Sequence, residues 1–367
     1  MLKIDHRMET LTARTIVKML FPRNLQIQAI APTRVDVGTF LDQPPVATIY
    51  EHLGMHTATI ALNLRTLVTA TPCEEKIVKV TLGEETSKFV DHLPFVGDCA
   101  LINACITHFG IKGVHLNCQF DAPAFSGLGG SSTLSVAICA ALMKANDPST
   151  EIDDSFRHQC ALKAYLIENG IIAPTGLQDQ LTAAYGGLHL FRWKLTQDEL
   201  YTRRCLLPRE DHDKLKKLLV TAYTGERHSS SFATSLMMRS FCRGGSARTK
   251  WLDSNNSTVR FANAVENKDW QLAIKAMNEA NDCRTDIVPE VETKIATELK
   301  ITARQLGAGF SVAGAGNGGF VFSIAPDESR ANRLENLWKT ELLHVPDAFV
   351  CRPEIDPIGI FVRCSHL

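Results

Sequence analysis

The chain of 367 residues contains no run approaching the ~18 apolar residues that a bilayer-crossing helix needs. It has almost no net charge, since 39 Lys and Arg stand against 40 Asp and Glu. That removes the electrostatic reason to expect nucleic acid or a membrane surface as partner. Its eleven cysteines are odd in number and never spaced Cys-x-x-Cys. A disulfide framework and a zinc site are both disfavoured, and reduced, mostly buried thiols of a cytoplasmic protein are expected. No Gly-Lys pair occurs anywhere, so the common nucleotide P-loop with its Gly-Lys-Ser/Thr ending is missing. Internal repeats and low-complexity segments are absent as well.

What remains is an ordinary globular composition, 45% apolar and 22% charged, on a chain long enough for two domains. Residues 1–28 read as an N-terminal extension. They are mildly basic but contain Asp5 and Glu9, lack a signal-peptide core, and hold one short amphipathic helix stopped by Pro22. Strand patterns follow at 25–30, 57–71, 77–82 and 114–120, and helical patterns at 98–109, 131–146 and 153–169. A strand at 187–193 precedes a polar stretch, 194–217, which marks a domain junction and divides the chain into 29–205 and 206–367. The second part reads as a strand at 218–223, helices at 230–241, 257–265, 270–281 and 288–306, a strand at 320–324, a helix at 328–343 and two short strands. Strands and helices mix without regular βαβ alternation, which predicts an α+β fold.

Three segments carry chemistry. The first is Pro123-Ala-Phe-Ser126-Gly127-Leu128-Gly129-Gly130-Ser131-Ser132-Thr133, which runs straight into an apolar helical segment. Its glycines let the backbone close on a bulky anion with N–H groups inward, and the helix adds its positive N-terminal end. Ser131 and Ser132 offer hydroxyls to phosphate oxygens or to a magnesium ion. The second is Gly314-Ala-Gly316-Asn-Gly-Gly319, which fits the dinucleotide fingerprint by letter. That fingerprint must follow a strand and open a helix, whereas here a helix is expected before the run and a strand after it. A nicotinamide or flavin fold is therefore rejected, and the run reads as a tight loop held against a ligand. The third, from Pro174 to Gly187, sets Asp179 between Gln178 and Gln180. An anion cradle, a carboxylate flanked by amides and a second glycine loop are what phosphoryl transfer to a hydroxyl needs. His52 and His56 stand four apart, but the intervening Gly54 and the lack of a third ligand make a metal site there weak.

In order and wording these motifs resemble the GHMP kinase superfamily, from about residue 31 to the C-terminus. Pro32-Thr-Arg34 and Gly38-Thr-Phe-Leu-Asp42 resemble its first motif, with one glycine and a turn one residue short. Pro123 to Ser131 resembles its phosphate loop with Gly130 in place of a serine, and Ala313 to Gly319 its third motif, interrupted by Asn317. Gln178-Asp179-Gln180 and Asp42-Gln-Pro-Pro are most similar to the sugar-1-kinase branch. The resemblance implies an α+β, two-domain fold: an N-terminal domain like the second domain of ribosomal protein S5 and a ferredoxin-like C-terminal domain. It further implies an ATP- and magnesium-dependent kinase acting on a sugar or sugar-phosphate hydroxyl, with the anomeric oxygen the favoured acceptor. Asp179 would be the catalytic carboxylate and Arg34 its cationic neighbour, while Ser131 and Glu168 would hold magnesium. Pro123, Ser126 to Gly130, Ser132 and Thr133 would complete the ATP loop. Asp42, Glu51, His52, Gln178, Gly314 and Gly316 would meet the substrate. Arg227, in a basic stretch from Thr224 to Ser231, would meet a substrate phosphate, against a competing reading as a solvated helix face. The resemblance is compatible with a homodimer. A non-sugar alcohol such as mevalonate or homoserine as acceptor, and a ligand-sensing homologue without turnover, are the alternatives.

Overall fold

The computed structural model describes residues 19–90, 93–172 and 175–367. The helix expected before Pro22, and Pro174 of the third segment, lie outside these residues. The chain opens with β1 (Met19–Leu20) and β2 (Leu25–Val37). Next come α1 (Pro44–Ile49), the long β3 (His56–Pro72), the hairpin β4 (Val78–Leu82) and β5 (Glu85–Phe89), α2 (Ala100–Phe109), β6 (Ile111–Lys112) and β7 (Val114–Phe120). Helices α3 (Gly130–Asn146), α4 (Asp154–Ile167) and α5 (Gln178–Tyr185) follow, then β8 (Leu188–Trp193) and β9 (Tyr201–Cys205). After α6 (His212–Lys216) and β10 (Leu219–Tyr223) come four helices: α7 (Ser230–Arg243), α8 (Ser246–Glu266), α9 (Trp270–Ile287) and α10 (Lys294–Gln305). The chain closes with β11 (Gly309–Val312), β12 (Phe320–Ile324), α11 (Glu328–Glu341), β13 (Phe349–Cys351) and β14 (Phe361–His366).

The first sheet has eight strands, in the order β14-β2-β3-β7-β4-β5 with β8 and β9 branching from β3. β3 is long enough to serve two partners: its start pairs with β8 and its end with β7. Helix α3 lies across this sheet and is buried on nearly every side, because α2, α4 and α5 enclose it. That is why its sequence is apolar all round rather than along one stripe. The second sheet is antiparallel in the order β11-β12-β10-β13. Numbered within that unit the order is 2-3-1-4, the split βαβ arrangement of a ferredoxin-like domain. Trp338, Leu334 and Leu299 of α11 and α10 cover one face through Phe310 and Val321. The other face joins the first domain in one continuous core, in which Val35, Ile60, Leu128 and Leu188 pack with Phe261, Met277, Phe320 and Phe322. Each such side chain contributes roughly 1.5–3 kcal/mol on burial, so the two halves are held by a shared interior and not by a polar seam.

Four sequence expectations need correction. Residues 25–28 belong to β2, so the extension is shorter than 1–28. The stretch 194–217 is not a linker, because it holds β9, paired with β8, and α6. The part 206–367 is not self-contained, since β14 returns to pair antiparallel with β2 from Leu25 to Ile30. Finally, the helix expected at 288–306 is a 3-10 turn (Pro289–Val291) followed by α10, and β11 comes directly before the glycine run. That run therefore joins two antiparallel strands. A strand and no helix still follows it, so the dinucleotide reading fails as expected. All eleven cysteines are unpaired, and Cys105, Cys118, Cys139 and Cys160 are fully buried while Cys205 and Cys242 are exposed. No helix among the described residues is long and apolar enough to cross a membrane.

Candidate active site

The site begins with a break in β2. Pro32 has no N–H to give its neighbour, and the β2–β3 register shifts between Pro32 and Thr33. Such a bulge re-aims the side chains beyond it. Arg34 and Asp36, two apart and so on one face, both end up buried, at 5% and 1% exposure. Arg34 grips Asp179 with two parallel bonds, Nε to Oδ1 and Nη2 to Oδ2, each 2.7 Å. Its Nη1 donates to the Gly127 carbonyl at 2.6 Å. Burial works against the charge on Arg34, yet Asp179 and Asp36 outweigh it and its pKa is raised. Asp36 lies 3.4 Å from Arg34 Nε and accepts from the Gly314 N–H at 3.1 Å and from the Thr39 hydroxyl. Burial pushes the Asp36 carboxyl up, against the pull of Arg34 and Arg284.

Asp179 occupies the first turn of α5, where a carboxylate is favoured by the helix N-terminus. It is the more open member of the pair, with its side chain 18% exposed against 6% for Arg34. It rests on the phosphate loop. Gly129 takes φ +76°, and a Cβ there would lie 3.0 Å from Asp179 Oδ2. Gly129 caps α3 with no side-chain cap, and the first helix amide to be paired is that of Thr133, bonded to the Gly129 carbonyl at 2.9 Å. The Thr133 hydroxyl donates to the same carbonyl at 2.8 Å. The amides of Gly130, Ser131 and Ser132 thus stand unpaired at a helix N-terminus, a ready anion site. Leu128, sunk in the shared core, and the Ser126 carbonyl, which accepts from Phe320 N–H at 2.8 Å, anchor the loop from behind, with Pro123 half-buried at its start.

Glu168 stands where α4 passes into a π-turn (Glu168–Ile172), and it is buried at 6% exposure instead of lying on a solvated helix face. Ser131 Oγ donates to its Oε1 at 2.6 Å, and Ser132 Oγ and Gln180 Nε2 donate to its Oε2, both at 2.9 Å. Burial pushes the Glu168 carboxyl up and these three bonds oppose that. Among the described residues no group of three or more His, Cys, Asp or Glu side chains is placed to hold a metal. Oxygen-only Ser131 and Glu168 do fit magnesium, which commonly takes one or two carboxylates and completes its shell with phosphate oxygens and water.

The third motif is tied into the protein through its backbone. Gly314 gives its N–H to Asp36 and accepts from Arg284 Nη1 at 2.9 Å. Gly316 gives its N–H to the Ala313 carbonyl at 3.3 Å and accepts from His228 Nδ1 at 2.5 Å. The backbone polar groups of Gly314 and Gly316, expected to meet substrate, are thus engaged within the protein. Asn317, the interruption, sits at φ +61° with its side chain donating to the Glu290 carbonyl at 3.0 Å. Asparagine tolerates that left-handed conformation, so it does the work of a glycine and adds a tether.

On the acceptor side, Asp42 is buried at 3% exposure and its Oδ2 accepts from the Gln178 N–H at 3.1 Å. Only glycine fits at 176, where a Cβ would come within 1.7 Å of Asp42 Oδ2. Burial, then the negative charge of Asp179, pushes the Asp42 carboxyl up to about 7. Gln178 is 4% exposed and its Oε1 has no partner. The short turn carrying Asp42 is braced by α8: Phe40, at φ +80°, packs on Trp251 with ring centroids 4.8 Å apart.

Two expected residues are placed elsewhere, and a third, Arg227, lies beside the phosphate loop. Glu51 spends its carboxylate on the Thr196 N–H and hydroxyl and on Gln197 Nε2, at 2.7–2.9 Å. His52 is exposed in the 3-10 turn Glu51–Leu53, which Gly54 ends before His56 opens β3, so the two histidines share no helix. Arg227 is exposed, with its guanidinium carbon 4.3 Å above the Phe125 ring of the phosphate loop. Conversely, Asp36, Gly176, His228 and Arg284 were not singled out from sequence. Only Asp36 carried a local signal, the two-residue spacing from Arg34.

Two family models match the chain: the GHMP kinases N terminal domain over residues 98–187 and the GHMP kinases C terminal domain over 261–343. No curated protein matches it by sequence. Among solved structures it is similar to a D-glycero-D-manno-heptose 1-phosphate kinase from Bacteriodes thetaiotaomicron, with 19% identity, 92% of this chain and 98% of that one covered, and a TM-score of 0.68. It is also similar to Lactococcus lactis galactokinase complexed with galactose, at 15% identity, 92% and 95% coverage and a TM-score of 0.70. The Methanococcus jannaschii mevalonate kinase compares at 16% identity, 91% and 99% coverage and a TM-score of 0.67. At these identities the neighbours share the fold. With both domains matched in order on that two-domain α+β architecture, the chain belongs to the GHMP kinase superfamily.

Proposed function

We propose that this protein transfers the γ-phosphoryl group of ATP to a hydroxyl of a sugar or sugar phosphate, with the anomeric oxygen the favoured acceptor. One observation carries the reading: the Arg34–Asp179 pair rests on Gly129 of the phosphate loop, and Asp179 is its more open member and near enough to Asp42 for its charge to push that carboxyl up. The amides of residues 130–132 and the α3 N-terminus hold the triphosphate. Ser131 and Glu168 would hold magnesium, which when bound would supply positive charge against that on the transferring group. Asp179 orients the acceptor hydroxyl and takes its proton, while Arg34 holds that carboxylate in place through two parallel hydrogen bonds.

The acceptor pocket supports a polyol. Gln178 Oε1 and the ionised form of Asp42 only accept hydrogen bonds, so a matching ligand brings O–H donors. A carboxylate-bearing acceptor such as mevalonate or homoserine would set its own charge against Asp42 and Asp179. Retention of the Arg34–Asp179 pair and of Ser131 beside Glu168 disfavours a ligand-sensing homologue without turnover. Arg227, exposed beside the phosphate loop, is available to the phosphate of a sugar-phosphate substrate. Unpaired cysteines suit a reducing cytoplasm. Phosphorus NMR of the reaction mixture tests the acceptor position: a sugar 1-phosphate is expected. A new phosphate away from C1 would remove the anomeric reading and leave the kinase reading standing.

A further inference from the structure

The phosphate loop and the third glycine loop are far apart in sequence, yet one residue bonds to both, through its backbone to the first and its side chain to the second. His228 is 7% exposed. Its backbone N–H donates to the Phe125 carbonyl at 2.7 Å. Its ring Nδ1 is 2.5 Å from the Gly316 carbonyl and its Nε2 is 2.7 Å from Ser230 Oγ. A carbonyl only accepts, so Nδ1 carries the proton. In the neutral ring Nε2 is then the acceptor and the Ser230 hydroxyl its donor, which fixes a single tautomer. Burial, with some help from Arg34, lowers the ring's pKa and favours that neutral form. The ring also flanks Gly127, where a Cβ would stand 3.7 Å from its Cγ. The segment it holds is strained: Phe125 takes φ +58°, a conformation that residues other than glycine seldom adopt without an outside hold.

We propose that His228 is a positioning residue for the nucleotide: by bonding the Phe125 and Gly316 carbonyls together it fixes the phosphate loop against the third glycine loop, and so sets the affinity for MgATP without touching the reacting atoms. The proposal rests on the kinase reading above. It makes a directional prediction, because asparagine and glutamine mimic different ring nitrogens. His228→Asn places an amide nitrogen at the Nδ1 position and keeps the bond to Gly316. His228→Gln reaches only the Nε2 position and loses it.

The test measures the Kd for MgATP by calorimetry, the KM values for ATP and acceptor, and the melting temperature of each variant. His228→Gln is expected to raise the ATP Kd and KM about five- to tenfold, the weight of one buried hydrogen bond, and to leave the acceptor KM unchanged. His228→Asn should restore ATP binding to within about twofold. Should His228→Gln fail to fold, Ser230→Ala carries the test, with an ATP Kd raised about two- to threefold by the freed tautomer. His228→Gln (or Ser230→Ala where it carries the test) binding MgATP as the wild type does, or losing ATP and acceptor affinity in equal measure, overturns the proposal. Wild-type protein that binds no MgATP overturns the kinase reading beneath it.

Discussion

Around the phosphate loop the charged side chains already have partners: Ser131, Ser132 and Gln180 Nε2 converge on Glu168, Arg34 on Asp179 and the Gly127 carbonyl, and Asp36 on Gly314, although the buried Gln180 Oε1 has no partner among the described residues. Across Asp179, on the acceptor side, Gln178 Oε1 is buried without a partner among the described residues, and burial and Asp179 push the Asp42 carboxyl up to about 7. In the first region the side chains are engaged with one another while the amides of Gly130, Ser131 and Ser132 stay open at the start of α3, which suits an anionic nucleotide. The second holds an unrelieved cost that only a matching substrate removes, and selectivity of this kind comes from polar groups left unpaired by the wrong ligand. The donor half should therefore tolerate little change in geometry, and the acceptor half should trade stability for recognition.

Asp179 joins the two halves, so its loss should have the largest effect. Asp179→Asn is expected to lower kcat by roughly 10²-fold or more while MgATP still binds. A kcat near that of the wild type would remove it from the chemistry. Gly176→Ala would sharpen the contrast, because its Cβ displaces only Asp42. The acceptor KM should rise about ten- to a hundredfold with the ATP Kd unchanged. Equal damage to both would mean the halves are not separable.

Asp42→Asn should expose the trade directly. The folded chain holds the Asp42 proton more tightly than the unfolded chain, since its pKa rises from 3.8 to about 7. Stability is therefore lost as pH climbs from the unfolded value through about 7. The variant removes that loss while its amide oxygen still accepts from Gln178. Its melting temperature should exceed that of the wild type at a pH of about 8 and match it near a pH of about 4, with the acceptor KM raised about tenfold. A pH-independent difference would contradict a buried carboxyl near neutrality. The smallest effect is expected at Gly130, where nothing lies within 4 Å of an added Cβ and φ is not positive. Gly130→Ser should change ATP affinity by no more than about two- to threefold, and a large loss would mean that the loop needs glycine there for its conformation.

These two halves also differ in how far the sequence reveals them. The phosphate loop and α3 are local: glycines, serines and an apolar run sit side by side, and the structure places them as read. Asp179 was legible as a residue, but its helix was not, because eight residues beginning Gln-Asp-Gln present too short an apolar pattern. β11 was lost for the same reason, being four residues long. Asp36, Arg284 and His228 acquire their roles only through contacts with distant glycine loops, which no local spacing records. Glu51 and His52 entered as substrate residues through the family resemblance alone, and the residue that engages the Glu51 carboxylate, Thr196, lies 145 positions away.

The central claim is MgATP-dependent transfer to a polyol, and its most direct test is ADP release from wild-type protein and Asp179→Asn over one substrate panel. The panel should hold free sugars, sugar phosphates, mevalonate and homoserine, each with and without magnesium. The account predicts release stimulated by at least one sugar or sugar phosphate, dependent on magnesium and lost in Asp179→Asn. Stimulation by mevalonate or homoserine alone, or release indifferent to Asp179, would contradict it.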